Sequence, residues 1–517
     1  MRHRRIRMVL IICLSLATVA PLRSQTNQQD LVRSAMNAVK ANDFKTAEKL
    51  FAQLIKRDPS PGNYDLLATA EASAGDLTNA AAHYQRSIAL GNRSAAVHYN
   101  LGITQMRLRH PDQAIRELGL ALASDPKFPQ AAGALASALI AAGKSTQAVS
   151  YLEQALKLTP NDPTLWANLV QCQFEAKQSS EALKTIDQAT DAVPEDSRLE
   201  VTLASLCLDH GQADKARNLL ENASEGAPQD NNIKVLLAVA SLAANEPVEA
   251  AAVLKDVPAS AGEPGQIDFL QGRAYLLTGK YSEALPLLSA AIQAQPSNLE
   301  YLLTYARALQ TEGNYPKALD ALKKAHALAP KNVVIPYQLA VTYAFMGRYS
   351  DAQKTCQEAL RLQPKADRVY FLLGIIQVEE NQDAGAVRSL QQAASLRPDL
   401  ALYYAALGMA FFKQNNFAQS KAELDKSLVL DPKTAPAYFW RGQVLAQQGK
   451  KGDAISDFET FVALDPNYAV AYKRLSDLYY AAGQQAKAEL ALAKYDSLKS
   501  QPNPTKHTAL DDLLPGN

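Results

Sequence analysis

A chain of 517 residues would ordinarily divide into about three or four globular domains. Its 53 Lys+Arg and 52 Asp+Glu nearly cancel, leaving a net charge of +1. That balance lacks the footprint of a nucleic-acid binder and gives no reason to look for an acidic membrane surface as partner.

The N-terminus is a piece apart. Arg2, Arg4, Arg5 and Arg7 form a basic stretch, followed by an apolar run from Met8 to Ala20. That run is short for a bilayer span and fits a secretory signal, expected over residues 1–24. Thr18-Val19-Ala20 offers small residues for cleavage, but Pro21 follows; a cut after Ser24 is the other option, and an uncleaved anchor a third. Ile12 is too large for the lipidation motif that Cys13 would otherwise suggest. The expectation is an exported, periplasmic or envelope-associated protein that touches a membrane only through this segment or a partner.

From there a fixed period takes over. Alanine recurs every 34 residues at 80, 114, 148, 182, 216, 250, 284, 318, 352, 386, 454 and 488, with Ser420 filling the one vacant slot and Ala47 a residue out of phase. A proline ladder runs in register at 126, 160, 194, 228, 296, 330, 364, 398, 432 and 466. Two residue types locked together over so many steps mean a solenoid of about fourteen repeats.

Residues 129–162 show one unit. Ala132, Leu135, Ala136 and Leu139 make an apolar stripe on one helix, and Gly143 ends it. Ala148, Leu152 and Ala155 face it from a second helix, which Pro160 stops. The turn slot holds Gly75, Gly143, Gly211, Gly279, Gly313, Gly347, Gly449 and Gly483, or Asn42, Asn245, Asn381 and Asn415. These are the residues that tolerate a left-handed backbone; Arg109 and Lys177 are the exceptions. Three residues on, Thr78, Asp112, Thr146, Ser180, Asp214, Ser282 and Ser350 are expected to cap the second helix. The alanine ladder then marks where the two helices cross so closely that only a methyl group fits.

Residues 231–264 depart from the pattern. They keep Ala250 but lack the closing proline, carry Pro247 near the turn and end in Pro258-Ala-Ser-Ala-Gly-Glu-Pro264. The second helix must be short there, and residues 258–264 read as a joint between arrays over 25–257 and 265–500; a looser loop in a continuous spiral is the alternative. Beyond 500 the chain turns Pro-rich and then reads Ala509-Leu510-Asp511-Asp512-Leu513-Leu514-Pro515. A flexible tail, a short helix docked on the last repeat and a linear motif for a partner all fit.

The unit resembles the tetratricopeptide repeat family. His98-Tyr99-Asn100-Leu101-Gly102 with Ala114, Leu118, Ala121 and Pro126 carries the likeness, as do Tyr404, Leu407, Gly408 and Phe411, and Tyr438, Gly442 and Leu445 with Ala454, Phe458 and Pro466. The resemblance implies an all-α, right-handed superhelical solenoid of helix-turn-helix repeats whose first helices line a concave groove. It also implies a general interaction scaffold, with proteins (a peptide or an amphipathic helix) as partners. In the C-terminal half the groove positions hold Tyr337, Phe345, Phe371, Ile375, Met409, Phe412, Phe439 and Trp440, closed by Lys473, Arg474, Asp477 and Tyr480. These form the candidate partner surface, although the family favours aromatics at some of these positions for packing alone. The family's clamp for a C-terminal carboxylate is incomplete: Asn100, Asn168 and Arg198 match, but Asp65, Gly133, Ala134 and Thr202 stand where other members of the set would be. That activity is not carried over.

Catalytic chemistry is not expected. Gly143-Lys144-Ser145-Thr146 mimics the end of a phosphate loop, but Ala138 replaces the required glycine and Gly143 belongs to the turn slot. No histidines lie at metal-ligand spacing, no CxxC occurs and no serine sits in a nucleophile elbow. Cys172 and Cys207 occupy nearly the same place in adjacent repeats; a bridge and a pair of buried thiols are both open, the buried pair preferred. No catalytic, metal or cofactor residues are predicted. The leading expectation is a non-catalytic, exported scaffold. A component of exopolysaccharide or cellulose secretion, or of outer-membrane assembly, is the alternative.

Overall fold

The computed structural model describes residues 23–500. Nearly all of the expected signal segment, Cys13 and the tail from Gln501 lie outside the described residues. Those residues form 28 α-helices, from α1 (Arg23–Lys40) to α28 (Gln485–Lys499), with a single 3-10 turn and no strand among them. They pair as antiparallel hairpins, making the chain an all-α repeat solenoid. None of these helices is long and apolar enough to cross a membrane.

Every hairpin turns through a left-handed residue. The glycines of the turn slot have φ between 69° and 97°, the four asparagines between 56° and 63°, and Arg109 and Lys177 adopt 63° and 60°. A side chain costs about 1 kcal/mol in this region where glycine costs nothing. Arg109 and Lys177 therefore hold a strained backbone because the hairpins on either side dictate it. The second helix starts two residues earlier than expected: α6 (Pro111–Ser124) is capped by His110 and α8 (Ser145–Leu158) by Lys144, leaving Asp112 and Thr146 inside the first turn. Most of these caps make no side-chain bond; Asp43, Asp76 and Asn416 are the ones whose side chains accept from the first turn.

The close crossing is real. Every alanine of the ladder is fully buried. Where Ser420 replaces it in α24 (Phe417–Leu430), the hydroxyl donates to the Gly408 carbonyl of α23 (Ala401–Lys413) at 2.7 Å, so the two backbones approach within reach of one short side chain. A second crossing, one turn-pair on, is marked the same way: Ser427 Oγ donates to Ala401 O at 2.8 Å, and Ser87 Oγ to Pro61 O at 2.7 Å. On the first helix the partner position is often glycine. A Cβ on Gly102, Gly374 or Gly408 would stand 2.6, 2.5 or 2.4 Å from Cγ of Leu118, Leu390 or Leu424. Each of these leucines is fully buried, a burial that stabilises by roughly 1.5–3 kcal/mol.

The chain divides into two compact units, the first ending at Glu249 and the second beginning at Ala250. The division falls within α14 (Pro247–Leu254), which has 8 residues where α12 (Ala213–Gly226) and α16 (Tyr281–Ala294) have 14. Pro247 opens this helix, the position where its missing N–H costs nothing, and a 3-10 turn at Ala259–Ala261 follows. In the first unit, a core runs from Tyr99 to Cys172, and Trp166 donates from Nε1 to Pro160 O at 2.7 Å. In the second, a larger core runs from Leu302 to Phe411.

Candidate functional site

The expected partner surface is built from the first helices of the second unit: α19 (Val334–Phe345), α21 (Asp367–Glu379), α23, α25 (Ala435–Gln447) and α27 (Ala469–Ala481). The structure splits it. Ile375 and Met409 are fully buried, and Phe371 and Phe439 are 4% and 5% exposed, so these four belong to the core and not to an open groove. The reason is packing between repeats. Phe371 stacks on Tyr403 of the next first helix, with ring centroids 4.7 Å apart. Phe439 is ringed by Phe458, Phe461 and Tyr468 at 5.6, 5.3 and 5.1 Å. Aromatic pairs of this kind add about 0.5–1.5 kcal/mol each beyond their burial.

The remaining members reach solvent. Tyr337, Phe345, Phe412 and Trp440 are half-buried, and Lys473, Arg474 and Tyr480 are exposed. Phe345 lies flat against Tyr315, 5.2 Å away. Burial holds the Tyr337 phenol above its ordinary pKa. Phe412 and Trp440, from consecutive repeats, meet at 5.5 Å, and the Lys413 ammonium sits 6.0 Å from the Trp440 ring centroid. A cation at this distance is drawn to the ring face by about 0.5–1 kcal/mol. The result is a partly open aromatic pair with a basic group beside it.

The residue after Trp440 anchors a charge cluster that sequence reasoning missed. Arg441 of α25 grips Asp457 with both arms of its guanidinium, at 2.8 and 2.7 Å, and donates to Asp425 of α24 at 2.8 Å. Both aspartates stand 16 residues from Arg441, the same offset that separates Gly408 from Leu424. That offset was the available signal. Burial would raise the Asp425 carboxyl, but hydrogen bonds from Lys421 and Arg441 outweigh it and hold the group low. Tyr403 likewise donates to Asp367 at 2.7 Å across neighbouring repeats. These pairs fix the spacing of the helices that carry the aromatic surface.

The first unit carries polar pairs between the two helices of its hairpins. His83 pairs with Glu71 and His98 with Glu117, both at 2.8 Å. Asn100 is 2% exposed and its Oδ1 has no hydrogen-bond partner among the described residues; the Oδ1 of Asp65 is likewise sealed and without a partner among them. Burial pushes the Asp65 carboxyl up to about 6. An acid where a carboxylate clamp needs a base repels that ligand, which agrees with leaving the clamp activity aside. Cys172, Cys207 and Cys356 are free and buried, and burial pushes each thiol up to about 12. A thiol so protonated is no nucleophile at neutral pH. Among the described residues, no group of three His, Cys, Asp or Glu is placed to hold a metal ion.

A tetratricopeptide repeat model matches residues 71–138, 139–206, 208–270 and 309–376, more than half of the chain, and a second model of the same repeat matches 32–96, 269–333 and 405–469. No curated protein matches the sequence. Among solved structures, a chain of the APC/C hetero-tetramer Cut9-Hcn1 is 16% identical, with 87% of this chain and 96% of that one covered at a TM-score of 0.41. A chain of the structure of Naa15/Naa10 bound to HypK-THB is 15% identical, covering 94% and 95% at 0.35. The MamA protein is 21% identical, covering 34% of this chain and 95% of its own at 0.31.

Proposed function

The chain belongs to the tetratricopeptide repeat family, and from that premise we propose that it is a non-catalytic, exported scaffold of the cell envelope that binds a peptide or an amphipathic helix of another protein. Repeats of this family typically mediate contacts between proteins, and their stacked hairpins supply a long surface without requiring a catalytic site. The observation that carries the reading is the half-buried pair Phe412 and Trp440, contributed by consecutive repeats, with Lys413 beside it. Aromatic side chains that the core leaves partly open, next to a cation, have the composition of an interface hot spot. Export rests on the basic and apolar order of residues 2–20.

The test is photocrosslinking in the native host, with a photoreactive residue in place of Lys413. A recurrent protein adduct is expected, and it should disappear in the Phe412→Ala/Trp440→Ala double variant while circular dichroism stays unchanged. An adduct that survives the double substitution in a folded protein refutes the reading, as does the lack of any adduct. Fusion of residues 1–30 to a reporter active only outside the cytoplasm checks the export.

A further inference from the structure

The first helix of the last repeat, α27, presents a stripe that earlier repeats cover. Val470, Lys473, Arg474, Asp477 and Tyr480 follow one face of the helix, and all are exposed, Val470 at 43% and Tyr480 at 47%. In α23 the equivalent stripe is packed under α25, with Ala405, Ala406 and Met409 buried. Among the described residues no further first helix follows α27 to do the same. The stripe reads apolar, basic, apolar: Val470, then Lys473 and Arg474, then Tyr480. Lys473 gives one of its three protons to Asp477 at 2.7 Å, and Arg474 has no hydrogen bond or ion pair among the described residues.

We propose that the occupant of this stripe is the chain's own segment Leu510–Leu514. Its order is the counterpart: Leu510, then Asp511 and Asp512, then Leu513 and Leu514. The lengths agree. From Val470 to Tyr480 the helix rises about 15 Å, and five residues drawn out cover about 16 Å. The connection is short enough as well. Ser476 Oγ donates to Ala488 O at 2.9 Å, which sets an antiparallel register in which the last turn of α28 runs past the first turn of α27. The chain therefore leaves α28 just beyond the first turn of α27, about 12 Å along the axis from the level of Lys473, and residues 501–509 reach up to about 30 Å. Asp477 on this face is paired with Lys473, and Asp496 of α28 also faces Lys473, which leaves Arg474 as the unpaired cation of the face among the described residues. The segment closes the open end of the array, the place where repeat proteins need a polar cap.

Zero-length carbodiimide coupling on the full chain tests this, since an activated Asp511 or Asp512 carboxyl can form an amide only with an amine in contact. A Lys473–Asp511 or Lys473–Asp512 link within one chain is expected, and it should fall at least fivefold in Arg474→Glu and in Leu513→Ser/Leu514→Ser. Mixing isotope-labelled with unlabelled protein separates a link within one chain from a link between copies. No link, a link found only between copies, or a link indifferent to both variants overturns the proposal. The readout requires no partner protein, so its failure leaves the function proposed above standing.

Discussion

A methyl group placed on Gly408 probes the crossing on which every repeat depends. Two effects oppose each other. Alanine gains up to about 1 kcal/mol over glycine in a helix interior. Against that, the new Cβ would lie 2.4 Å from Leu424 Cγ, 2.7 Å from its Cδ2 and 3.2 Å from its Cδ1. The nearest atom is one bond from the Leu424 Cβ, so the side chain cannot swing aside without leaving its rotamer, and Leu424 is fully buried. Nor can the helices simply part, because Ser420 and Ser427 bind α24 to α23 at both crossings. Overpacking of this kind costs about 1–3 kcal/mol, so a net loss of about 1–2 kcal/mol is expected. Gly119 is the control: nothing lies within 4 Å of its Cβ position, and Gly119→Ala should stabilise by about 0.5–1 kcal/mol. Repeat arrays open locally, which makes native-state hydrogen exchange the suitable assay. Amides of α23 should exchange about tenfold faster in Gly408→Ala, and those of α6 somewhat more slowly in Gly119→Ala. Equal or better protection of α23 in Gly408→Ala would show that the crossing is loose and refute the reasoning.

Three further outcomes are expected. The Asp65 carboxyl is raised from 3.8 to about 6, so between pH 4 and 6 the folded state holds more proton than the unfolded one and stability falls as pH rises; Asp65→Asn should flatten that slope and stabilise the first unit at pH 7 by about 1–3 kcal/mol, and an unchanged slope in urea titrations counts against it. Arg441→Met leaves Asp457, whose side chain is 8% exposed, buried without its partner, at a cost of about 2–4 kcal/mol that Arg441→Met/Asp457→Leu should largely recover; a double variant no better than the single one shows that the pair was not coupled. Cys172, Cys207 and Cys356 should resist a thiol reagent at pH 8 in the native protein and react once guanidinium unfolds it, with the modified peptides located by mass spectrometry; rapid native labelling of any of the three contradicts their sealed, protonated state.

The hairpins were legible because the same physical demand recurs at each step. A left-handed turn selects Gly or Asn, and a methyl-wide crossing selects Ala, so even Arg109 and Lys177 could be placed in the turn by register alone. The caps were misplaced by two residues because Asp, Ser and Thr suit any position of a helix's first turn, where free N–H groups point outward; residue type alone does not separate the cap from the turn that follows. Which members of the expected partner surface reach solvent was not legible. Helical spacing puts Ile375 and Met409 on the same stripe as Phe412, but it cannot say which members the neighbouring helix covers; that depends on how far each repeat leans on the next. Arg441 with its two aspartates went unseen because each is an ordinary surface residue in its own repeat, and only the stacking of three helices brings them together.

Only two tryptophans occur in the whole chain, and the fold assigns one to each unit. Trp166 leans on its own loop, while Trp440 stands against Phe412. Each half of the molecule thus carries its own intrinsic lamp. Converting Trp166 to Phe leaves a lone tryptophan at the proposed contact, so under tryptophan-selective excitation an arriving ligand would announce itself as a spectral change with no dye attached.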